Sequence, residues 1–259
     1  MPFRLRDVVA FLDETLEINR FKDYAVNGLQ VEGAIEVDTI VTGVSASLGL
    51  LERANELGAD LVVVHHGLIW GSGIPTVTGP AARRLKALLA NDMSLAAYHL
   101  PLDKHARLGN NVGIADAIGL ALTGRDAFGD VRGTALGLSG AWPQPITRGE
   151  ALGRIAAGVC NGAAPRFVFP HGPEVIRKVG ICSGAASDML EAAAAAGCDL
   201  FVTGELAERA ADLAKELQIT LVAAGHYATE VFGAQRLVEE LRMRFVGINA
   251  QFVPMPTPL

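Results

Sequence analysis

Aromatic side chains are scarce in this sequence, at 6% of 259 residues. That scarcity argues against the stacked-aromatic platforms that hold single-stranded nucleic acid. Cations are in the minority: 22 Lys and Arg against 28 Asp and Glu leave a net charge of −6. Such a surface has no overall attraction for nucleic acid or an anionic membrane. Cysteine is sparse and unpatterned; Cys160, Cys182 and Cys198 form no CxxC, which fits free thiols in a reducing compartment. No apolar run approaches the roughly 18 residues needed to span a bilayer. Asp7, Asp13 and Glu14 interrupt the N-terminal apolar pattern, unlike a secretory signal. There is no GxxxxGK[ST] or GxGxxG phosphate-cradling loop and no GxSxG nucleophile turn. The expectation is a soluble, cytoplasmic protein with neither membrane nor nucleic acid as its main partner.

Apolar residues, by contrast, make up 50% of the chain, enough for one large core or two small ones. Val8, Val9, Phe11, Leu12 and Leu16 recur at helical spacing across residues 7–19. After a loop at 23–30 the pattern predicts a strand at 39–45, a helix at 47–57 closed by Gly58, and a buried strand at 61–64 running into His65-His66-Gly67. A helix at 81–91 and a strand at 95–98 follow. This alternation predicts a mainly parallel sheet covered by helices. Residues 124–175 are rich in Gly and Pro and read as a connecting segment, with a strand at 134–138 and a helix at 148–159.

Beyond residue 176 the first pattern returns. Val179-Gly180-Ile181-Cys182-Ser183 echoes Val41-Thr42-Gly43-Val44-Ser45. Glu191 and Gly197-Cys198-Asp199-Leu200 echo Glu52 and Gly58-Ala59-Asp60-Leu61 at a constant offset of 139 residues, which places Gly204-Glu205 opposite His65-His66. Ala224-Gly225-His226 echoes Ala97-Tyr98-His99 at an offset of 127, which places Glu230 on Asp103. The expected fold is therefore α/β: a first lobe over 1–123, a connection over 124–175 and a related second lobe over 176–259, facing a shared site.

Adjacent strand residues point to opposite faces, so His65 and His66 can serve one site only where the strand ends and bends, as Gly67 permits. Otherwise one is a hydrogen-bonded core histidine and the other faces solvent. His226 and Glu230 are four apart at a strand end, a spacing that lets both reach one metal from a helical turn; a surface ion pair is the plainer reading. His99 and Asp103 repeat that spacing, although Asp103 would also serve as a helix N-cap. Jointly, four of the six histidines fall at C-terminal ends of expected strands, the edge where open α/β sheets bind ligands. Imidazole mixed with carboxylate, without thiolate, suits Zn, Mn, Fe, Co or Ni. His65, His66, Asp103, His226 and Glu230 together exceed one catalytic zinc. Two divalent ions roughly 3.5–4 Å apart, bridged by Glu230, fit better. His105 could point inward from the turn after Asp103, and His171 reads as a loop residue.

Asp23…Asn27-Gly28-Leu29-Gln30-Val31-Glu32-Gly33, Val63-Val64-His65-His66-Gly67-Leu68-Ile69-Trp70, Leu102-Asp103…Gly109-Asn110-Asn111, Thr203-Gly204-Glu205 and Gly225-His226-Tyr227-Ala228-Thr229-Glu230 resemble the motifs of the Nif-three-like family. Its members are often labelled GTP cyclohydrolase 1 type 2 homologues and include YbgI; the likeness spans nearly the whole chain, in the short form without an inserted domain. The resemblance implies two α/β lobes around a dinuclear metal centre, with ligands falling on His65, His66, Asp103, His226 and Glu230. It also implies a toroidal homohexamer. Where the family places a Thr after the first His of the Asp motif, this chain has Leu100.

The function expected on these grounds is a metal-dependent hydrolase of a nucleotide-like small molecule, GTP being the named candidate. Its nucleophile would be metal-bound hydroxide, with His99 or Glu205 as catalytic proton carriers. The alternative is a non-catalytic metal-binding, metal-delivery or scaffold protein. For Glu205, an exposed place at a helix N-terminus is the plainer explanation.

Overall fold

In a computed structural model of the chain, residues 2–71, 73 and 76–257 are described. The protein has a mixed α/β fold that divides into two compact units. The first takes the chain up to Leu102 and then Gly233–Met255; the second takes Asp103–Phe232.

The first unit is built on a five-stranded sheet in the order Asn249–Phe252, Thr39–Ser45, Leu61–His66, Ser94–Ala97, Gly28–Val31. Three of its four pairings are parallel and the last is antiparallel. Leu61, Val62, Val63 and Val64 are all buried to within 1%, as expected of a parallel strand covered on both faces. Ser47 caps the helix Leu48–Glu56, its side chain accepting the Leu50 N–H at 3.2 Å. Gly58, at φ +66°, ends that segment in the left-handed conformation glycine adopts without strain. Val41, Leu50, Leu51, Val62 and Leu95 form the centre of this unit's core.

The second unit carries a six-stranded sheet: Phe167–Pro170, Thr220–Ala223, Leu200–Thr203, Val179–Ile181, Thr134–Gly140, Asp126–Val131. Only two of its five pairings are parallel; the other three are antiparallel. Both sheets are thus mixed, and the expected predominance of parallel pairing holds for the first sheet alone. The Gly- and Pro-rich stretch read as a connection supplies three of these strands. The tight return between Asp126–Val131 and Thr134–Gly140 makes that pair an antiparallel hairpin, while Thr134–Gly140 and Phe167–Pro170 pair antiparallel with the distant strands Val179–Ile181 and Thr220–Ala223. Ile114, Trp142, Ile155, Leu200 and Val222 lie in this unit's core.

The sequence echo has a structural counterpart. In each unit three consecutive strands pair parallel in chain order. Asp60 Oδ2 accepts the N–H groups of Asp38 and Thr39 at 2.8 and 2.9 Å. Asp199 Oδ2 accepts those of Arg177 and Lys178 at 2.7 and 3.2 Å. Each carboxylate therefore fixes the entry to its first parallel strand. Asp60→Ala and Asp199→Ala are each expected to destabilise by about 1–3 kcal/mol, the range for charge-assisted hydrogen bonds. Urea unfolding checks this, and a loss under about 0.5 kcal/mol, the surface-substitution level, would refute it.

The helix His226–Arg244 starts in the second unit and continues into the first from Gly233. No helix among the described residues is long and apolar enough to cross a membrane.

Candidate metal centre

In the first unit the strand Leu61–His66 runs two residues past its expected end, with His66 pairing with Ser45. The chain then turns at Gly67, where any Cβ would overlap Gln30 Oε1. At that bend the rings of His65 and His66 come together, centroids 4.5 Å apart. His65 is the buried, hydrogen-bonded member of the pair and His66 the partly exposed one. His99 joins them just after the strand Ser94–Ala97, its ring 5.1 Å from that of His65 and 5.7 Å from that of His66. Ligand nitrogens of His65, His66 and His99 lie within 4.8 Å of one another.

Each of these imidazoles is oriented through Nδ1. His65 is fully buried and donates from Nδ1 to the Tyr98 carbonyl at 2.9 Å. His66 Nδ1 lies 3.0 Å from Ser45 Oγ. His99 donates from Nδ1 to Asp23 Oδ1 at 2.7 Å, and its backbone N–H donates to Asn27 Oδ1 at 2.8 Å. Asp23 also accepts from Ala25 N, Asn27 Nδ2 and Leu100 N at 2.9–3.0 Å. Burial by itself would raise the Asp23 pKa; the His99 hydrogen bond and charge, with Asn27 and the Ala25 N–H, overcome that and hold it well below its ordinary 3.8. With Nδ1 donating to oxygen in both rings, Nε2 of His65 and of His99 is the nitrogen left for a metal, the arrangement metal-binding imidazoles use.

In the second unit Asp103 sits inside the short helix Leu100–Lys104, 5% exposed. It does not cap the following helix, whose N-cap is Gly109. Its Oδ1 accepts from Asn110 Nδ2 and from Ser183 Oγ, both at 2.8 Å. Ser183 is itself set by its N–H donating to Asn111 Oδ1 at 2.8 Å. His226 and Glu230 occupy successive turns of one helix face, with Nε2 and Oε2 3.1 Å apart. Glu230 is 3% exposed. Glu205, after the strand Leu200–Thr203, accepts from His226 Nδ1 at 2.7 Å. Its side chain is 43% exposed, and this hydrogen bond ties it to the His226 ring. Cys182 lies close enough to feel both carboxylates: burial first, then the Asp103 and Glu230 charges, push its thiol far up. Without metal, Cys182 is therefore held as a neutral thiol. His105 turns onto its own loop, its Nδ1 accepting from Leu108 N at 2.9 Å.

Burial by itself would lower the His226 pKa, but hydrogen bonds and charge from Glu230 and then Glu205 outweigh it and raise it to about 9. In the metal-free protein the charged ring stabilises the fold fully below pH 6.5, the ordinary value, and the contribution is lost as pH rises through about 9. Chelator-treated protein should therefore lose thermal stability across that window, and Glu205→Gln should flatten the decline. A melting temperature independent of pH there would contradict the assignment.

Of the expected site residues, the structure groups His65, His66 and His99 in one unit, and joins His226 to Glu230 and Glu205 in the other. Sequence reading assigned no role to Asp23, Asn27, Ser45, Asn110, Asn111 or Ser183, which orient the others. The signals present were short polar pairs beside glycine, Asn27-Gly28 and Gly109-Asn110-Asn111.

Fold and donor set together define a mixed α/β protein whose His, Asp and Glu groups could hold divalent metal. The sequence matches the family described as Duf34/NIF3 (NGG1p interacting factor 3) over residues 3–258, and the chain belongs to that family. It is 42% identical over 255 residues to a protein of Archaeoglobus fulgidus named GTP cyclohydrolase 1 type 2 homolog, covering 98% of this chain and 99% of that one. The solved structure of protein ybgI superposes with a TM-score of 0.90 at 38% identity, covering 99% of this chain and 100% of the other. TTHA1606 from Thermus thermophilus gives 0.86 at 32% identity, over 99% and 100% of the two chains.

Proposed function

We propose that this protein is a divalent-metal-dependent hydrolase of a nucleotide-like small molecule, with His65, His66, Asp103, His226 and Glu230 holding two ions. The observation that carries the reading is the donor chemistry. Imidazoles, His65 fully buried among them, are fixed through Nδ1 with Nε2 left to ligate, and Asp103 and Glu230 add two nearly buried carboxylates. Mixed nitrogen and oxygen ligands without thiolate suit Zn, Mn, Fe, Co or Ni. Divalent ions held there would polarise the substrate and bring the pKa of a water towards neutrality.

The chain's own residues supply the proton handling. Asp23 keeps the His99 Nδ1 proton engaged, so His99 takes up or returns a proton at Nε2. Glu205 holds the His226 ring by its Nδ1 proton, and its partly exposed carboxylate can exchange protons with solvent. The relative's name, GTP cyclohydrolase 1 type 2 homolog, makes GTP the first substrate to assay.

The test is metal analysis of purified protein, with turnover of GTP, nucleotide esters and cyclic nucleotides measured beside His65→Ala and His99→Ala. The expected result is metal and turnover in the wild type, neither in His65→Ala, and metal without turnover in His99→Ala. Turnover persisting in metal-free protein sinks the hydrolase reading; metal without turnover on any substrate leaves a metal-binding or delivery protein. We also propose a toroidal homohexamer, which a monomeric size in solution would overturn.

A further inference from the structure

The second unit also holds a cleft of about 480 Å³ lined by none of the proposed metal ligands or proton carriers. That volume lies within the range of small-molecule sites. Its walls are apolar at Val112, Leu136, Leu138 and Ala127, while Lys104, Arg107 and Arg125 bring positive charge and Asp116 the one acid among the lining residues. Arg125 is already satisfied: it pairs with Asp116 at 2.8 Å and donates to the Ala121 and Leu120 carbonyls at 2.8 and 2.9 Å. Lys104 is different. It is half-buried on the helix Leu100–Lys104, and no hydrogen bond or ion pair meets its ammonium among the described residues. A partly desolvated charge with no counter-charge is unfavourable unless a ligand supplies one. In a chain of net charge −6, this is a local cationic pocket with an apolar floor.

We propose that this cleft binds a small organic anion, its carboxylate or phosphate head on Lys104 and its apolar body against Val112, Leu136 and Leu138. The inference is independent of the metal-dependent reaction.

Calorimetric titration of the full chain with 1-naphthyl phosphate, 1-naphthoate and inorganic phosphate, as purified and after chelator treatment, tests it. The expected result is saturable binding of one or both naphthyl anions, unchanged by chelation, with inorganic phosphate at least about tenfold weaker for want of an apolar body. Which naphthyl anion binds more tightly identifies the head group. Lys104→Met should weaken binding at least about tenfold while Lys104→Arg stays within about threefold. Ala127→Trp, on an exposed position of the strand Asp126–Val131, should fill the cleft and block binding even if Lys104→Met misfolds. Arg209→Ala, a cation outside the cleft, should change nothing. The proposal is overturned by no saturable binding in the wild type, by loss of binding on chelation, or by an unchanged Kd in a folded Lys104→Met or Ala127→Trp variant.

Discussion

Glu230→Ala is expected to weaken divalent-metal binding by at least about 100-fold, since loss of an outer-shell partner alone costs about 10–100-fold and Glu230 is proposed as a shared ligand. Its carboxylate is 3% exposed, one helical turn from His226 and within 3.1 Å of the His226 ring. Glu230→Gln separates ligand loss from packing loss, because it keeps the volume and removes the charge. Both variants should lose metal, measured by elemental analysis after gel filtration, and with it any turnover. In both, His226 loses the main partner that raises its pKa, so the stability decline of the metal-free protein should move below pH 9. Wild-type metal content in Glu230→Gln would remove Glu230 from the site.

Gly184→Ala should be nearly as damaging, although residue 184 has no side chain to ligate anything. A Cβ there would overlap Glu230 Oε1, and it would lie 3.4 Å from His226 Nε2. The backbone cannot retreat. Gly184 O accepts from Gly204 N, Glu205 N and Thr203 Oγ1 at 2.8–3.0 Å, and Gly184 N donates to Thr229 Oγ1 at 3.1 Å. Its φ of +65° adds the left-handed penalty of about 1–2 kcal/mol. The expected outcome is a loss of roughly 1–3 kcal/mol in unfolding free energy with metal affinity down by about 10–100-fold. Gly197→Ala is the control: its φ is +77°, but a Cβ would meet nothing within 4 Å. It should show the stability loss and keep its metal. Equal metal affinity in the two variants would show that the close approach to Glu230 does not matter.

Both predictions use contacts of very different legibility. That His226 and Glu230 share a helix face follows from their spacing alone, because the helical period is local. The buried strand of valines ending in two histidines was equally readable from its unbroken apolar run. The Gly184 contact was not, nor was the hydrogen bond from His99 to Asp23, 76 residues apart, nor that from Ser183 to Asp103, 80 residues apart. Each depends on where two distant chain segments stop, which hydrophobic periodicity does not encode. His99 illustrates the difference: its spacing to Asp103 repeats that of His226 and Glu230, while its grouping with His65 and His66 came from the bend at Gly67 and the parallel register of Leu61–His66 with Ser94–Ala97.

The sequence by itself determined the α/β alternation, the absence of thiolate from the donor set, the family, and the types of residue available to a metal. The repeat of Asp60 at Asp199 was visible as letters, and even its purpose is local, since each carboxylate holds backbone N–H groups about 22 residues back. Tertiary structure alone decided that Asn249–Phe252 returns to pair with Thr39–Ser45 and that the second sheet is more antiparallel than parallel. It also decided that each site imidazole is held through Nδ1. Strand order and side-chain orientation are settled by burial and hydrogen-bond satisfaction summed over non-local segments, and no stretch of sequence carries that sum.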